Sequence, residues 1–331
     1  MAQQIEAQRA DSLHELQDQA VECANSLVRR MSASSDQEAL LLHSIQIKTG
    51  ATAPLRPLVV APLLVHACIS GSTEPALPIA AAAHFLDRSI AILDSFMDGD
   101  PMPEWAERGP GQALLAATTV LGALPMAALA QLEALPAKIL ELQGILTLGG
   151  LRVSSGQQLD LALRGTSHPE LQQALDAATG KTGEMMATVG RLAASLASDD
   201  ADLVEAFADT CRDYGTAWQI DSDLRDVLDP ERSRDLANGT RTLPIAAYLE
   251  VAPESARAEP IRLALPGSLA SGEGATGNES AAVAAVAYCI SVSEGYTASA
   301  SRRLDALRLL EPAGSMLRLL LFEASEHRGE T

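Results

Sequence analysis

Ser89-Ile90-Ala91-Ile92-Leu93-Asp94-Ser95-Phe96-Met97-Asp98 and Thr216-Ala217-Trp218-Gln219-Ile220-Asp221-Ser222-Asp223-Leu224-Arg225-Asp226 decide how this chain folds. Both runs are apolar and lack the alternation of a strand. Both also hold carboxylates that are costly in such company unless something binds them. Asp94 and Asp98 are four residues apart, so a helix sets them on one face. Gln219, Asp223 and Asp226 make a second stripe by the same geometry. Two such stripes facing one another across a helical cavity form a hard-oxygen site suited to Mg²⁺ and a phosphorylated ligand. The plain alternative is that each cluster merely solvates an exposed face.

The rest of the chain is consistent with helices. It has 331 residues, 47% of them hydrophobic and only 3% aromatic, with Ala and Leu dominant, a mixture that favours helix over sheet. The net charge of −19 argues against nucleic acid and against an anionic membrane surface as partners. Cys23, Cys68, Cys211 and Cys289 are scattered without metal or disulfide spacing, as reduced thiols in a cytoplasm would be. Met1 to Ala20 is polar and acidic, unlike an export signal, so a cytoplasmic protein is expected. Gly109 to Leu132 carries no charged residue and is long enough to span a bilayer. Its prolines, glutamines and threonines instead predict a buried core helix broken near Pro125.

Helical periodicity first appears over 4–31, with Leu13, Leu16, Ala20, Cys23 and Leu27 on one stripe. It continues in segments that include 76–98, 110–124, 127–146, 151–164, 168–177, 179–197, 201–228 and 280–309. No run of alternating β-branched residues suggests a sheet. The expected architecture is an all-α, single-domain bundle of roughly a dozen helices over 1–331 around a central cavity. Residues 1–37 are an N-terminal helix and turn, and 252–280, rich in Pro, Gly and Ser, a mobile surface loop.

Several landmarks fall in a fixed order. Gly50-Ala51-Thr52-Ala53-Pro54-Leu55-Arg56-Pro57 precedes the Asp94/Asp98 segment. Gly156-Gln157-Gln158-Leu159-Asp160-Leu161 and Gly180-Lys181-Thr182-Gly183 follow. Tyr214-Gly215-Thr216-Ala217-Trp218-Gln219-Ile220 with its acidic tail comes next, and Asp235-Leu236-Ala237-Asn238-Gly239-Thr240-Arg241-Thr242-Leu243-Pro244 last. This order resembles the trans-isoprenyl diphosphate synthase (polyprenyl synthetase) family over roughly 38–250. The resemblance implies the class I isoprenoid synthase fold, a homodimer, and two aspartate-rich motifs holding two or three Mg²⁺ ions around an allylic prenyl diphosphate. Carried over by position, Asp94 and Asp98 form the first metal motif, and Asp223 and Asp226 the second. Lys181, Thr182 and Gln219 contact the diphosphate, Arg56 the second substrate, and Arg241 stands beside a vacated lysine position.

The departures are specific. Ser95 and Ser222 each replace one aspartate of a motif, and Thr240 stands where the family has a lysine. On the acceptor side Ala53 takes a lysine position and Asp87 a histidine position, and a carboxylate there repels a second diphosphate. These changes predict a prenyltransferase that ionises the allylic diphosphate but passes the cation to an acceptor other than isopentenyl diphosphate. A terpene synthase is the second reading, weakened by the few aromatics available to steady migrating cations. A catalytically weak regulatory subunit is the third. Ser89 and Ile90, one turn before Asp94, are not bulky aromatics, which in the family leaves room for a medium or long prenyl tail. Each site residue also has a plain structural reading: Lys181 and Thr182 as a helix start, Gln219 as a core amide, Asp87 with Arg88 as a surface pair, His84 as a satisfied core histidine.

Overall fold

The computed structural model describes residues 2–229, 233–254, 261, 263 and 277–323. Among these every regular element is helical: α1 (Ala2–Met31), α2 (Ser35–Ser44), α3 (Pro57–Ser70), α4 (Leu77–Met97), α5 (Pro103–Arg108), α6 (Pro110–Gly122), α7 (Leu124–Leu129) and α8 (Pro136–Leu163). Then come α9 (Leu171–Ala178), α10 (Glu184–Ala197), α11 (Ala201–Leu228), α12 (Arg234–Asn238), α13 (Leu243–Val251), α14 (Gly277–Ala306) and α15 (Ala313–Arg318). The fold is all-α, as the composition predicts. Most of the 252–280 segment lies outside the described residues, and α14 already begins at Gly277. The chain forms two compact units, one of residues 1–147, 188–207 and 307–331, the other of 148–187 and 208–306.

In the first unit α1 buries Leu13, Leu16, Ala20, Ala24, Leu27 and Val28, close to the expected stripe; Ala24 takes the place of Cys23, which is half-buried. The apolar helix α3 is buried nearly all round, opens on Pro57 and stops at Gly71, whose φ of 83° is the left-handed cap that glycine adopts most readily. Polar side chains of α1 hold the loop before it. His14 bonds the Ala53 carbonyl at 3.0 Å, Gln17 donates to the Pro54 carbonyl at 3.1 Å, and the Asp18 carboxylate accepts from the Gly50 N–H. The same Gln17 accepts the Arg56 N–H at 2.7 Å, so a fully buried amide fixes where Arg56 leaves the backbone.

Helix α4 is the centre of this unit. Ala81, Ala82 and Phe85 pack with α1 and α2, while Ile92 packs against Trp105, Ala113 and Ala116 of α5 and α6. His84 is wholly buried; its Nε2 bonds the Ile45 carbonyl at 2.7 Å, while its Nδ1 has no hydrogen-bond partner among the described residues, so the expected core histidine is only half satisfied. The stretch after α5 breaks at Ala123, close to Pro125 as expected. Its α6 part is not wholly buried, however: Leu114 and Leu115 are 44% and 62% exposed, on a helix without charge. By length and composition alone, 74–97, 110–129 and 278–306 could each cross a membrane.

One boundary differs from expectation. The predicted helices 127–146 and 151–164 are instead a loop and the single helix α8, which runs through Gly144, Gly149 and Gly150. Glycine costs about 1 kcal/mol in a helix. Burial of Leu142 and Leu146, each worth about 1.5–3 kcal/mol, outweighs that.

The second unit is organised by close contact between helices. A Cβ on Gly156 of α8 would lie 2.3 Å from the Gly180 carbonyl carbon, and one on Gly215 of α11 would lie 2.7 Å from the Thr182 carbonyl oxygen. Only glycine permits these approaches. They clamp the segment Thr179–Gly183, a π-type turn joining α9 to α10, between α8 and α11. Behind it Ile220, Leu224 and Val227 of α11 pack with Ile245 and Tyr248 of α13 and Val286 and Cys289 of α14.

Two tests follow from this packing. Gly156→Ala should lower stability by about 1–3 kcal/mol through overpacking. Gly295→Ala, at a helical glycine with open space, should raise it by about 0.5–1 kcal/mol. Both are read from urea unfolding midpoints. Burial lowers the His84 pKa from 6.5 to about 4, so the neutral ring is the folded form. Its stabilisation is fully present above pH 6.5 and is lost as pH falls toward 4, a loss of about 3 kcal/mol. His84→Gln should flatten that part of the pH–stability curve.

Candidate functional site

The first acidic pair lies in the first unit. Asp94 occupies the last turn of α4 and Asp98 its C-cap, whose N–H bonds the Asp94 carbonyl at 2.8 Å. Both are half-buried. A helix C-terminus carries partial negative charge, so two carboxylates there repel the helix end and each other unless a cation joins them. Ser95, at the position of the missing aspartate, is buried and donates to the Ile92 carbonyl of its own helix at 2.8 Å. It contributes nothing to the acidic face.

The second acidic pair repeats the arrangement in the second unit, in the last two turns of α11. Thr182 donates to the Gln219 side-chain oxygen, and the Gln219 amide donates to Asp223 Oδ1 at 2.7 Å. Lys181 Nζ meets Asp160 Oδ2 at 3.2 Å. The close approach of Gly156 and Gly180 brings this pair together, because Asp160 is one turn beyond Gly156 on the same face of α8. The structure therefore gathers Lys181, Thr182, Gln219 and Asp223 into one network. Thr182, Asp160 and Asp223 are each less than 9% exposed.

Sequence reasoning quoted Asp160 and Asp235 without assigning them a role. Both add charge here. Lys181 sits among Asp160, Asp223, Asp226 and Asp235. Burial raises the Asp223 pKa to about 7, against the pull of Lys181 and the Gln219 amide. Burial, then the charges of Asp223 and Asp226, raises Asp235 to about 8. The Gly156-x-x-x-Asp160 spacing was the available signal for Asp160; for Asp235 only the fold supplies one.

Other expected residues are placed differently. The Asp226 carboxylate accepts from Ser233 Oγ at 2.5 Å and from the Arg234 and Asp235 N–H groups at 3.1 Å, so it also organises the start of α12. Asp221, next to Ser222, accepts from Ser293 Oγ of α14 at 2.6 Å and does not replace the missing aspartate. Arg241 donates to the carbonyls of Thr166, Gly239 and Thr240, clasping two loops. In the first unit Arg56 NH1 donates to Asp87 Oδ2 at 2.7 Å, both side chains partly exposed. Trp218 and Tyr214 belong to α11, Tyr214 being buried.

The donor set fits Mg²⁺. It consists of oxygens, and carboxylates outnumber the one ammonium among them; burial, the largest cause, raises the pKa values of Asp223 and Asp235. Among the described residues no three such side chains converge into a complete cage. Mg²⁺ sites commonly use one or two carboxylates together with waters and substrate phosphate oxygens.

The chain is similar to known proteins in sequence and in fold. The profile of the polyprenyl synthetase family matches residues 41–263. A geranylgeranyl diphosphate synthase of Methanosarcina mazei is 27% identical over 203 residues, which are 57% of this chain and 61% of that relative; the match thus spans about three fifths of the relative's length. The crystal structure of a geranylgeranyl pyrophosphate synthetase from Pyrococcus horikoshii superposes with a TM-score of 0.77 at 19% identity, covering 96% of this chain and 98% of that one. A heptaprenyl diphosphate synthase from Staphylococcus aureus gives 0.72 at 16% identity, covering 95% and 97%. With more than half its length inside the family profile, the chain belongs to the polyprenyl synthetase family.

Proposed function

We propose that this protein is a cytoplasmic, Mg²⁺-dependent class I prenyltransferase. It ionises an allylic prenyl diphosphate and passes the prenyl cation to an acceptor other than isopentenyl diphosphate. The observation that carries the reading is the network of Thr182, Gln219 and Asp223 beside the Lys181–Asp160 pair. Its groups are those a departing diphosphate requires: an ammonium, a hydroxyl, an amide and carboxylates for metal. The relatives' names, geranylgeranyl and heptaprenyl diphosphate synthases, support a prenyl diphosphate as substrate.

In the first unit Asp94 and Asp98 would hold Mg²⁺; in the second, Asp223, supported by Asp226, would do the same. When bound, Mg²⁺ neutralises the charge that builds on the leaving diphosphate. Lys181 and Thr182 bind diphosphate oxygens and favour the charged leaving group as the C–O bond opens. Gln219 orients Thr182 on one side and Asp223 on the other. Asp160 holds Lys181 in place, so the ammonium is positioned before substrate arrives. Arg241 is the further candidate for a diphosphate contact, which it reaches by releasing its backbone carbonyls.

The acceptor assignment rests on Arg56, which in this chain is already bonded to Asp87. A guanidinium paired at 2.7 Å has lost much of its attraction for a second diphosphate, and Asp87 adds repulsion. A homodimer is supported by the uncharged helix α6, where Leu114 and Leu115 face outward, and by α8, where Leu140, Gly144 and Leu151 make an exposed apolar stripe.

Purified protein incubated with Mg²⁺ and geranyl, farnesyl or geranylgeranyl diphosphate, with and without isopentenyl diphosphate, should release pyrophosphate without lengthening the prenyl chain. A lengthened diphosphate would contradict the acceptor assignment. Asp94→Ala should abolish pyrophosphate release, and Lys181→Ala should lower its rate about 10²–10³-fold; full activity in Asp94→Ala would sink the metal assignment. Leu115→Glu combined with Leu140→Glu should convert a dimer to a folded monomer in sedimentation velocity.

A further inference from the structure

Within the first unit a cleft of about 700 Å³ opens where the start of α2 meets α5 and α6. Small-molecule sites commonly measure about 300–1,000 Å³. None of the residues considered above as metal or diphosphate ligands lines it. Leu40 of α2 and Leu115 of α6 give it an apolar wall, and Leu115 is 62% exposed. Apolar surface left open inside a concavity gains by taking a hydrocarbon.

The polar lining decides what that hydrocarbon carries. Arg108, at the cleft edge, takes no hydrogen bond or ion pair among the described residues. It stands two residues before Pro110, where α6 begins, so the positive end of that helix adds to its field. The field reaches His43 on α2, whose pKa is lowered by burial first and by the Arg108 charge second, ahead of the opposing pull of Glu104. Asp36 also lines the cleft, in the first turn of α2, where the dipole of its own helix already favours a carboxylate. Asp36 therefore needs no ligand, while Arg108 lacks a counter-charge. The Gln37 side-chain oxygen accepts the Ala33 N–H at 2.7 Å, which leaves its amide N–H groups, with those of Gln112, to donate.

We propose that this cleft binds an amphipathic monoanion, an aliphatic chain ending in one carboxylate, with the carboxylate on Arg108 and the chain along Leu40 and Leu115. A guanidinium holds a carboxylate through two parallel N–H donors, and the amides supply further ones. Asp36 sets the limit of one negative charge, since a diphosphate in the same cleft meets its repulsion. A neutral lipid would leave the Arg108 charge unanswered. The site is separate from the prenyl diphosphate chemistry and stands or falls without it.

The test is calorimetric titration of the full chain with decanoate, in EDTA so that no metal occupies the carboxylate pairs. Decanoate should saturate one site per chain, and octanoate, two methylenes shorter, should bind about 10-fold more weakly. Arg108→Gln should weaken decanoate by about 5-fold or more while leaving decanol within about 2-fold of wild type. Ala39→Trp, which fills the cleft from an exposed alanine, should weaken both by about 10-fold or more. Decyl diphosphate should bind no tighter than decanoate. Absence of decanoate binding, or binding that neither substitution alters, overturns the proposal. Equal affinity for decyltrimethylammonium overturns the choice of an anion. A second copy of the chain seated on the cleft would show as no decanoate binding together with a dimer that Ala39→Trp converts to monomer in sedimentation velocity, and that result also overturns it.

Discussion

Carboxylates at the negative ends of helices are the constraint on which the rest depends. Asp94 and Asp98 close α4, and Asp223 and Asp226 close α11, where the peptide dipoles already favour cations. A sequence selected only for stability would place Lys or Arg there. In the second unit burial, ahead of the neighbouring carboxylate charges, raises the pKa values of Asp223 and Asp235. The fold holds this charge because it is anchored by apolar packing elsewhere: the alanine-rich face of α4 in one unit, and Ile220, Leu224 and Val227 in the other. On the proposed function, metal and diphosphate would bind where these carboxylates gather.

Much of this was legible in the sequence because it is local. Helical periodicity, the Asp94/Asp98 and Gln219/Asp223 spacings and the lack of strand patterning all concern residues within two turns of one another, where helix geometry fixes the neighbours. What was not legible depends on tertiary contact. Nothing near Gly144 to Gly150 shows that burial of Leu142 and Leu146 keeps α8 continuous. Asp160 looks like any helical aspartate until the Gly156–Gly180 approach delivers it to Lys181. Asp226 reads as a plain ligand until α12 claims part of its carboxylate. The outward face of α6, with Leu114 and Leu115 exposed, was not legible because an uncharged apolar run does not say which of its faces the fold covers.

The substituted positions behave differently in the structure. Ser95 turns into its own helix and Asp221 stays with Ser293, so neither adds a carboxylate to the neighbouring acidic pair. Asp87 engages the Arg56 guanidinium at 2.7 Å, and on the proposed function that pairing would leave Arg56 less able to hold a second diphosphate.

The central claim is that metal and diphosphate bind together at these carboxylates. Calorimetric titration with farnesyl thiolodiphosphate, whose C–S bond resists ionisation, tests it directly. The account requires binding in the micromolar range with Mg²⁺ and none measurable after chelation with EDTA. Equal affinity with and without Mg²⁺, or no binding in either, would contradict it.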